Sequence, residues 1–156
     1  MNMTLDEQKK ALIERIGIFH EKMGLQPVAG RILGLMYVAD RPALTFDEIR
    51  EELSISKSAT STALNLLIET GPVEYITFPG DRKRYFRLKT SNWRDALTKR
   101  IDNIINFKVL LKEVLECRTD KTSEFNTCLG EFVDFLDFLQ EELPNLLDKW
   151  EKSRVK

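Results

Sequence analysis

Two clusters of residues have side chains suited to binding chemistry. Lys57, Ser58, Ser61, Thr62 and Asn65 fall on one side of a helix drawn at about 100° per residue, opposite Ala59, Ala63, Leu66 and Leu67. Hydroxyls, one amide and one ammonium make a small, hydrogen-bonding face. Such a face lets a helix backbone approach a groove, and Asn65 carries the donor and acceptor needed to read an adenine edge. Ser56 stands where a side chain caps the helix, and with Ser58 it places hydroxyls at a helix N-terminus, a position that favours phosphate. The second cluster is Arg82-Lys83-Arg84, with Arg87 and Lys89 beyond it. In an extended strand Arg82 and Arg84 share a face and Tyr85 takes the other. A basic tip of this kind fits phosphate or minor-groove contact. Taken singly, the first cluster is better read as the solvated face of an ordinary amphipathic helix, and the second also reads as an edge strand guarded by charge. Their order and separation carry the reading.

Other chemistry is thin. One histidine, His20, cannot build a His-rich metal site, and Cys117 and Cys128 form no CxxC or Cys/His cluster, so no structural zinc is expected. Cys128 lies on an apolar helical stripe and is expected to be a buried, reduced thiol. No Walker loop, nucleophile elbow or zinc motif occurs, and the carboxylates read as solvated helix faces. Neither an enzyme nor a bound cofactor is expected. The net charge of -1 is low for a partner of nucleic acid, but it is unevenly spread. Residues 54–90 hold six cations against three anions, while residues 27–53 hold three against five, so one basic edge sits within a neutral total.

The surrounding elements must position these clusters. Thr4-Leu5-Asp6-Glu7 is a capping box, and Leu5, Leu12, Ile16, Phe19 and Met23 make an apolar stripe on the helix that follows, with Gly24 as its stop. Pro27 opens a second, nearly apolar helix to about Ala39, expected at the centre, on which Gly30 and Gly34 lie one turn apart for close helix packing. Thr45-Phe46-Asp47-Glu48 is a second capping box, opening a short helix that ends near Leu53. Ser56 caps a fourth helix to Thr70, stopped by Gly71 and Pro72. Val73 to Phe78 and Lys83 to Lys89 read as a β-hairpin around Pro79-Gly80-Asp81-Arg82. Ser91 or Asn92 caps a long helix from Trp93 to about Cys117, and residues 118–123 are a polar connection. The last helix carries Phe125, Leu129, Phe132, Leu136, Leu139 and Leu143 at heptad spacing, with Phe135 and Phe138 widening the face and Pro144 ending or kinking it. The fold class expected is mainly α with one β-hairpin: a winged helix-turn-helix module flanked by N- and C-terminal dimerisation helices. Its parts are residues 1–23, an N-terminal dimerisation helix; 24–90, the DNA-binding module; and 91–156, long dimerisation helices.

The stretches Gly24-Leu25-Gln26-Pro27, Ala29-Gly30-Arg31-Ile32, Phe46-Asp47-Glu48-Ile49 and Leu53-Ser54-Ile55-Ser56-Lys57-Ser58 resemble the GbsR-type branch of MarR-like regulators. So do Ser61, Leu64, Leu67, Gly71, Val73 and Gly80-Asp81-Arg82. The resemblance covers residues 24–90 by motif and the flanking helices by order. It implies a transcription regulator, dimeric through its terminal helices, with Ser56, Lys57, Ser58, Ser61 and Asn65 facing DNA and Arg82 at the wing. It further implies that Asp81 orients a nearby arginine. Many relatives carry arginine where Asn65 stands, which argues against guanine readout there.

From residues and resemblance together, the expected site is Ser56, Lys57, Ser58, Ser61, Thr62, Asn65, Arg82, Lys83 and Arg84, and the expected partners are double-stranded DNA and a second copy of the chain. Exposing the heptad seam would cost about 25 cal/mol per Å2 of apolar area, so a second copy is expected to cover it; packing of the two long helices on each other is the alternative. A two-fold dimer sets its recognition helices about 34 Å apart and reads a pseudo-palindromic operator. The resemblance also implies a small-molecule effector. Trp93, Phe107, Phe132 and Phe135 could line its pocket, but aromatic residues at this spacing are more often core, and no ligand residues are assigned. The N-terminal helix lacks the texture of a signal peptide and the longest apolar run, Ile32 to Ala39, is too short to span a bilayer, so a cytoplasmic protein with no membrane contact is expected. A winged-helix adaptor that binds protein instead of DNA is the rival reading.

Overall fold

A computed structural model describes residues 7–91 and 93–154. The chain divides into two compact units, Met1–Ser91 and Asn92–Lys156. The first unit contains α1 (Glu7–Lys22), α2 (Pro27–Val38), β1 (Leu44–Thr45), α3 (Phe46–Glu52), α4 (Lys57–Glu69), β2 (Val73–Ile76) and β3 (Tyr85–Leu88). The second contains α5 (Trp93–Cys117), a single 3-10 turn at Asp120–Thr122, and α6 (Ser123–Arg154). The expected capping box at Thr4-Leu5-Asp6-Glu7, and Asn92 as a cap, lie outside the described residues apart from Glu7.

α2 is the core of the first unit, as its composition demands: Ala29, Ile32, Leu33, Leu35 and Met36 are buried among Ile13, Leu44, Ile49, Ala63, Leu64, Leu67, Val73 and Phe86. α1 crosses it at glycine contacts. A Cβ on Gly30 would stand 3.0 Å from the Gly17 carbonyl oxygen, and one on Gly34 would stand 2.9 Å from that of Ile13. The expected close packing at Gly30 and Gly34 is therefore present. Arg31 ties the crossing from the side, its guanidinium 2.9 Å from Glu14 and 2.6 Å from Glu21. Hydrogen bonds to Glu14, then to Glu21, hold the Arg31 pKa above its ordinary value. The apolar stripe expected on α1 is not the face that α2 covers. Ile13 and Gly17 are buried, whereas Leu12, Phe19 and Met23 are exposed and Ile16 is half-buried.

The expected hairpin is part of a three-stranded antiparallel sheet in the order β1-β3-β2. Leu44 pairs with Phe86 and Thr45 with Tyr85 on one side; Tyr75 pairs with Phe86 and Ile76 with Tyr85 on the other. β1 is two residues long, too short to leave a period in the sequence. The strands of the hairpin are also shorter than expected. Thr77, Phe78, Lys83 and Arg84 lie outside them, so residues 77–84 form a loop.

In the second unit, Leu111 packs against Val133 and Leu136, with Leu115 and Leu129 beside them. Lys108 reaches Asp137 at 2.5 Å and Lys112 reaches it at 2.9 Å, which aligns the two helices. The seam that α6 turns toward α5 thus includes Val133. Phe125 and Phe132 of the expected heptad are exposed, as are Phe135 and Phe138. Trp93 and Phe107 are exposed as well, so the four aromatic residues considered for an effector pocket or core are neither enclosed nor core in this chain. Cys128, expected to be buried, is exposed because its neighbour Leu129 takes the inward position. Of the two outcomes open at Pro144, the helix does not end there: α6 runs on to Arg154.

Candidate nucleic-acid interface

The site is assembled from two short helices and a loop of the first unit. Thr45 closes the end of β1 and caps α3. Its hydroxyl accepts from the Glu48 backbone N–H at 3.3 Å, and the Glu48 carboxylate accepts from the Thr45 N–H at 2.7 Å, so the expected capping box forms. Arg41 adds an ion pair to Glu48 at 2.5 Å. Desolvation pushes the Glu48 pKa up, but the Thr45 N–H, the Thr45 hydroxyl and Arg41 together outweigh it and leave the group below its usual value.

Between α3 and α4 the chain turns through Ser54 in the left-handed region, at φ 51°. The turn delivers Ser56, whose hydroxyl accepts from the Ala59 N–H at 3.2 Å and lies 3.1 Å from the Ser58 hydroxyl. The expected N-cap is therefore made. The inward face of α4 is Thr60, Ala63, Leu64 and Leu67, whereas Ala59 and Leu66 are half-buried. That is a rotation from the face read in the sequence, and Thr60 is the reason. A buried threonine looks polar in a helical wheel, yet its hydroxyl donates to the Ser56 carbonyl at 2.9 Å and asks nothing further of the core. The outward face stands as expected: Lys57, Ser58, Ser61, Thr62 and Asn65 are all exposed. Among the described residues no side-chain hydrogen bond or ion pair engages Lys57, Ser61, Thr62 or Asn65.

At the hairpin, Arg82, Lys83 and Arg84 are exposed. Because they lie before the first residue of β3, strand alternation does not assign their directions, and the shared face expected for Arg82 and Arg84 is not a strand face. Arg84 instead lies over the Tyr75 ring at 5.9 Å. Arg87, counted in the basic excess, is neutralised across the strands by its registered neighbour Glu74 at 2.7 Å. Asp81 was expected to orient an arginine. Its carboxylate accepts from the Lys83 backbone N–H at 2.9 Å and from the Tyr85 hydroxyl at 2.7 Å. These two bonds, the Lys83 N–H first, hold the Asp81 pKa below its usual value. Tyr85 was missed in the sequence because a tyrosine at a strand start reads simply as a strand former.

A cleft of about 580 Å3 lies at the end of α2 beside Met36, Arg41, Pro42, Arg87, Leu88 and Thr90. Both of its arginines are already engaged, by Glu48 and Glu74. No helix of the described residues is long and apolar enough to cross a membrane.

Known proteins resemble this arrangement along both parts of the chain. A model described as MarR family matches residues 23–84, and one described as MmpR5-like MarR family transcriptional regulator matches residues 91–153. The chain is similar to the HTH-type transcriptional regulator MmpR5 of Mycobacterium tuberculosis, at 27% identity over 88% of this chain and 84% of that protein. It is similar to the HTH-type transcriptional repressor OpcR of Bacillus subtilis, at 24% identity over 97% of this chain and 88% of that protein. A crystal structure of a transcriptional regulator shares the fold with a TM-score of 0.68 and 26% identity, over 93% of this chain and 99% of the other. Both family models name the MarR family, and the narrower GbsR-type expectation stands on the sequence motifs alone. A helix-turn-helix by itself is shared by many families, but here the long C-terminal helices match as well, and the chain belongs to the MarR family of winged-helix transcriptional regulators.

Proposed function

We propose that this protein regulates transcription as a homodimer that sets two copies of α4 into successive major grooves of a pseudo-palindromic operator. In this reading Ser61, Thr62 and Asn65 meet base edges, and Ser56, Lys57 and Ser58 meet phosphates at the start of α4. Arg82 and Lys83 contact the backbone from the wing, with Arg84 beside them. The observation that carries the reading is the outward face of α4, which is small, polar, exposed and unengaged among the described residues, on a helix whose cap is already satisfied by Ser56. Base readout needs side chains with spare donors and acceptors, and this face has them.

Support for the dimer comes from apolar surface left exposed among the described residues of each unit. Phe19 and Met23 of α1 are 61% and 73% exposed, and Phe125, Phe135 and Phe138 of α6 are 54%, 55% and 58% exposed. Residues 1–23 and 91–156 are assigned to dimerisation on that ground, and residues 24–90 to DNA. A small-molecule effector and the GbsR-type branch belong to the reading by analogy with the family, and no ligand residues are assigned.

Selection from a randomised duplex pool, followed by titration of the selected duplex across a salt series, tests the proposal. The expected outcome is a two-fold motif with half-sites about one helical turn apart and an affinity that falls steeply with salt. Arg82→Ala with Lys83→Ala should make the log–log salt slope shallower by about 0.9 for each phosphate that the wing no longer neutralises. Sedimentation should report a dimer that Phe135→Asp dissociates. If no duplex is selected at low salt, the DNA reading fails and the adaptor reading replaces it.

A further inference from the structure

The wing loop carries bonds of its own, and two side chains, those of Asp81 and Tyr85, make most of them. Residues 77–84 lie between β2 and β3 without strand pairing of their own. A loop of this length, rich in charge, would ordinarily sample many conformations, and ordering it on binding would cost affinity. Four contacts restrict it. The Asp81 N–H donates to the Phe78 carbonyl at 3.1 Å across a turn in which Gly80 sits at φ 83°. The Asp81 carboxylate then accepts from the Lys83 N–H at 2.9 Å and from the Tyr85 hydroxyl at 2.7 Å. The Tyr85 ring meets the Phe78 ring edge-on, with centroids 5.0 Å apart.

Tyr85 is the link between this loop and the sheet. As the first residue of β3 it pairs with Thr45 of β1 on one side and Ile76 of β2 on the other. Its backbone is fixed by two strands while its ring and hydroxyl reach the turn. We infer that Tyr85 is a positioning residue of the wing: its hydroxyl anchors Asp81, which fixes the Lys83 amide and so presents Arg82 and Lys83 to a DNA backbone in a preset arrangement. The same bonds resolve a conflict in the sequence. An aspartate beside a phosphate-binding surface repels its ligand, but this carboxylate is turned onto two donors of its own wing. The inference rests on the DNA reading above.

Tyr85→Phe tests it, because the variant keeps the ring against Phe78 and the strand pairing and removes only the hydroxyl. In the free protein, hydrogen exchange at the Lys83 amide should speed up several-fold while the melting temperature falls by no more than a few degrees, since the bond removed is local and exposed. On the selected duplex the affinity should fall about two- to tenfold, the net worth of a typical intramolecular hydrogen bond, and the salt slope should become shallower. In an Arg82→Ala/Lys83→Ala background the same substitution should change affinity by less than about twofold, because the groups it positions are gone. Two outcomes overturn the inference while leaving DNA binding intact: a Tyr85→Phe protein that binds like the wild type, or one that loses the same affinity in both backgrounds. A wild-type protein that selects no duplex overturns the DNA reading and this inference together.

Discussion

Replacing Gly34 by alanine would place a Cβ 2.9 Å from the Ile13 carbonyl oxygen, 3.0 Å from its Cα and 3.4 Å from its carbonyl carbon. All three are backbone atoms of α1, so no side chain can swing away, and α1 must retreat by roughly half an ångström to reach ordinary van der Waals separation. The retreat would loosen Ile13, which is 4% exposed, and the second close approach at Gly17 and Gly30. Overpacking of this kind costs about 1–3 kcal/mol. Alanine returns about 1 kcal/mol through its helix propensity, so the net loss should be about 1 kcal/mol. Gly130→Ala supplies the reference, because nothing lies within 4 Å of a Cβ built there. That variant should show the propensity gain alone, about 0.5–1 kcal/mol. The difference between the two shifts, each taken against wild type, therefore isolates the steric effect. Urea unfolding at one fixed protomer concentration measures it, with helicity followed by circular dichroism. A separation of about 2 kcal/mol corresponds to roughly 4–8 °C in melting temperature for a chain of this size. Equal shifts for Gly34→Ala and Gly130→Ala would refute the reasoning and show that the glycine crossing is not a packing constraint.

Further outcomes follow from other parts of the fold. The Glu48 carboxyl has a folded-state pKa below its usual value, so it stabilises the fold above the unfolded pKa of about 4.3, and that contribution is lost as pH falls through the folded value. Glu48→Gln should therefore be less stable than wild type at neutral pH, with the gap closing in acid, as read from urea midpoints between about pH 6 and about pH 3. Ser54 adopts φ 51°, which costs a non-glycine residue about 1–2 kcal/mol, and Ser54→Gly should recover part of it, raising the stability by about 0.5–1 kcal/mol after the entropy of glycine is subtracted, as read from the denaturation midpoint. Leu136 is 1% exposed in the α5–α6 seam and Phe132 is 43% exposed. Leu136→Ala should thus cost about 2–5 kcal/mol of stability, whereas Phe132→Ala should act mainly on self-association, visible in sedimentation at low concentration.

Much of this protein was legible in its sequence where the physics is local. The Thr45–Glu48 capping box, the Ser56 cap, the positive-φ glycines at 24, 71 and 80 and the bounds of α5 all depend on residues within a turn of one another. The small polar face of α4 is likewise a matter of spacing on one helix. The helix after the turn and the hairpin that follows it were both recognisable from order and residue type. Some errors had a distant partner behind them: β1 exists because Leu44 finds Phe86. Others were local choices among side chains: Thr60 turns its hydroxyl onto the Ser56 carbonyl, and Asp81 binds Tyr85, four residues on, instead of an arginine.

The long helices separate the two kinds of information most clearly. Spacing alone determines that α6 is helical and amphipathic, since it carries apolar residues at threes and fours over its length. It does not determine which of them face α5, because the apolar arc is wider than one seam. Packing selected Leu129, Val133 and Leu136 for the intramolecular seam and left Phe125, Phe132, Phe135, Phe138 and Cys128 outward. The reason is steric: close antiparallel helices interdigitate aliphatic side chains at a fixed depth, and the lysines of α5 that reach Asp137 fix the rotation about the axis. Periodicity thus determined that a broad apolar surface exists, and only tertiary packing decided which part of it this chain covers for itself.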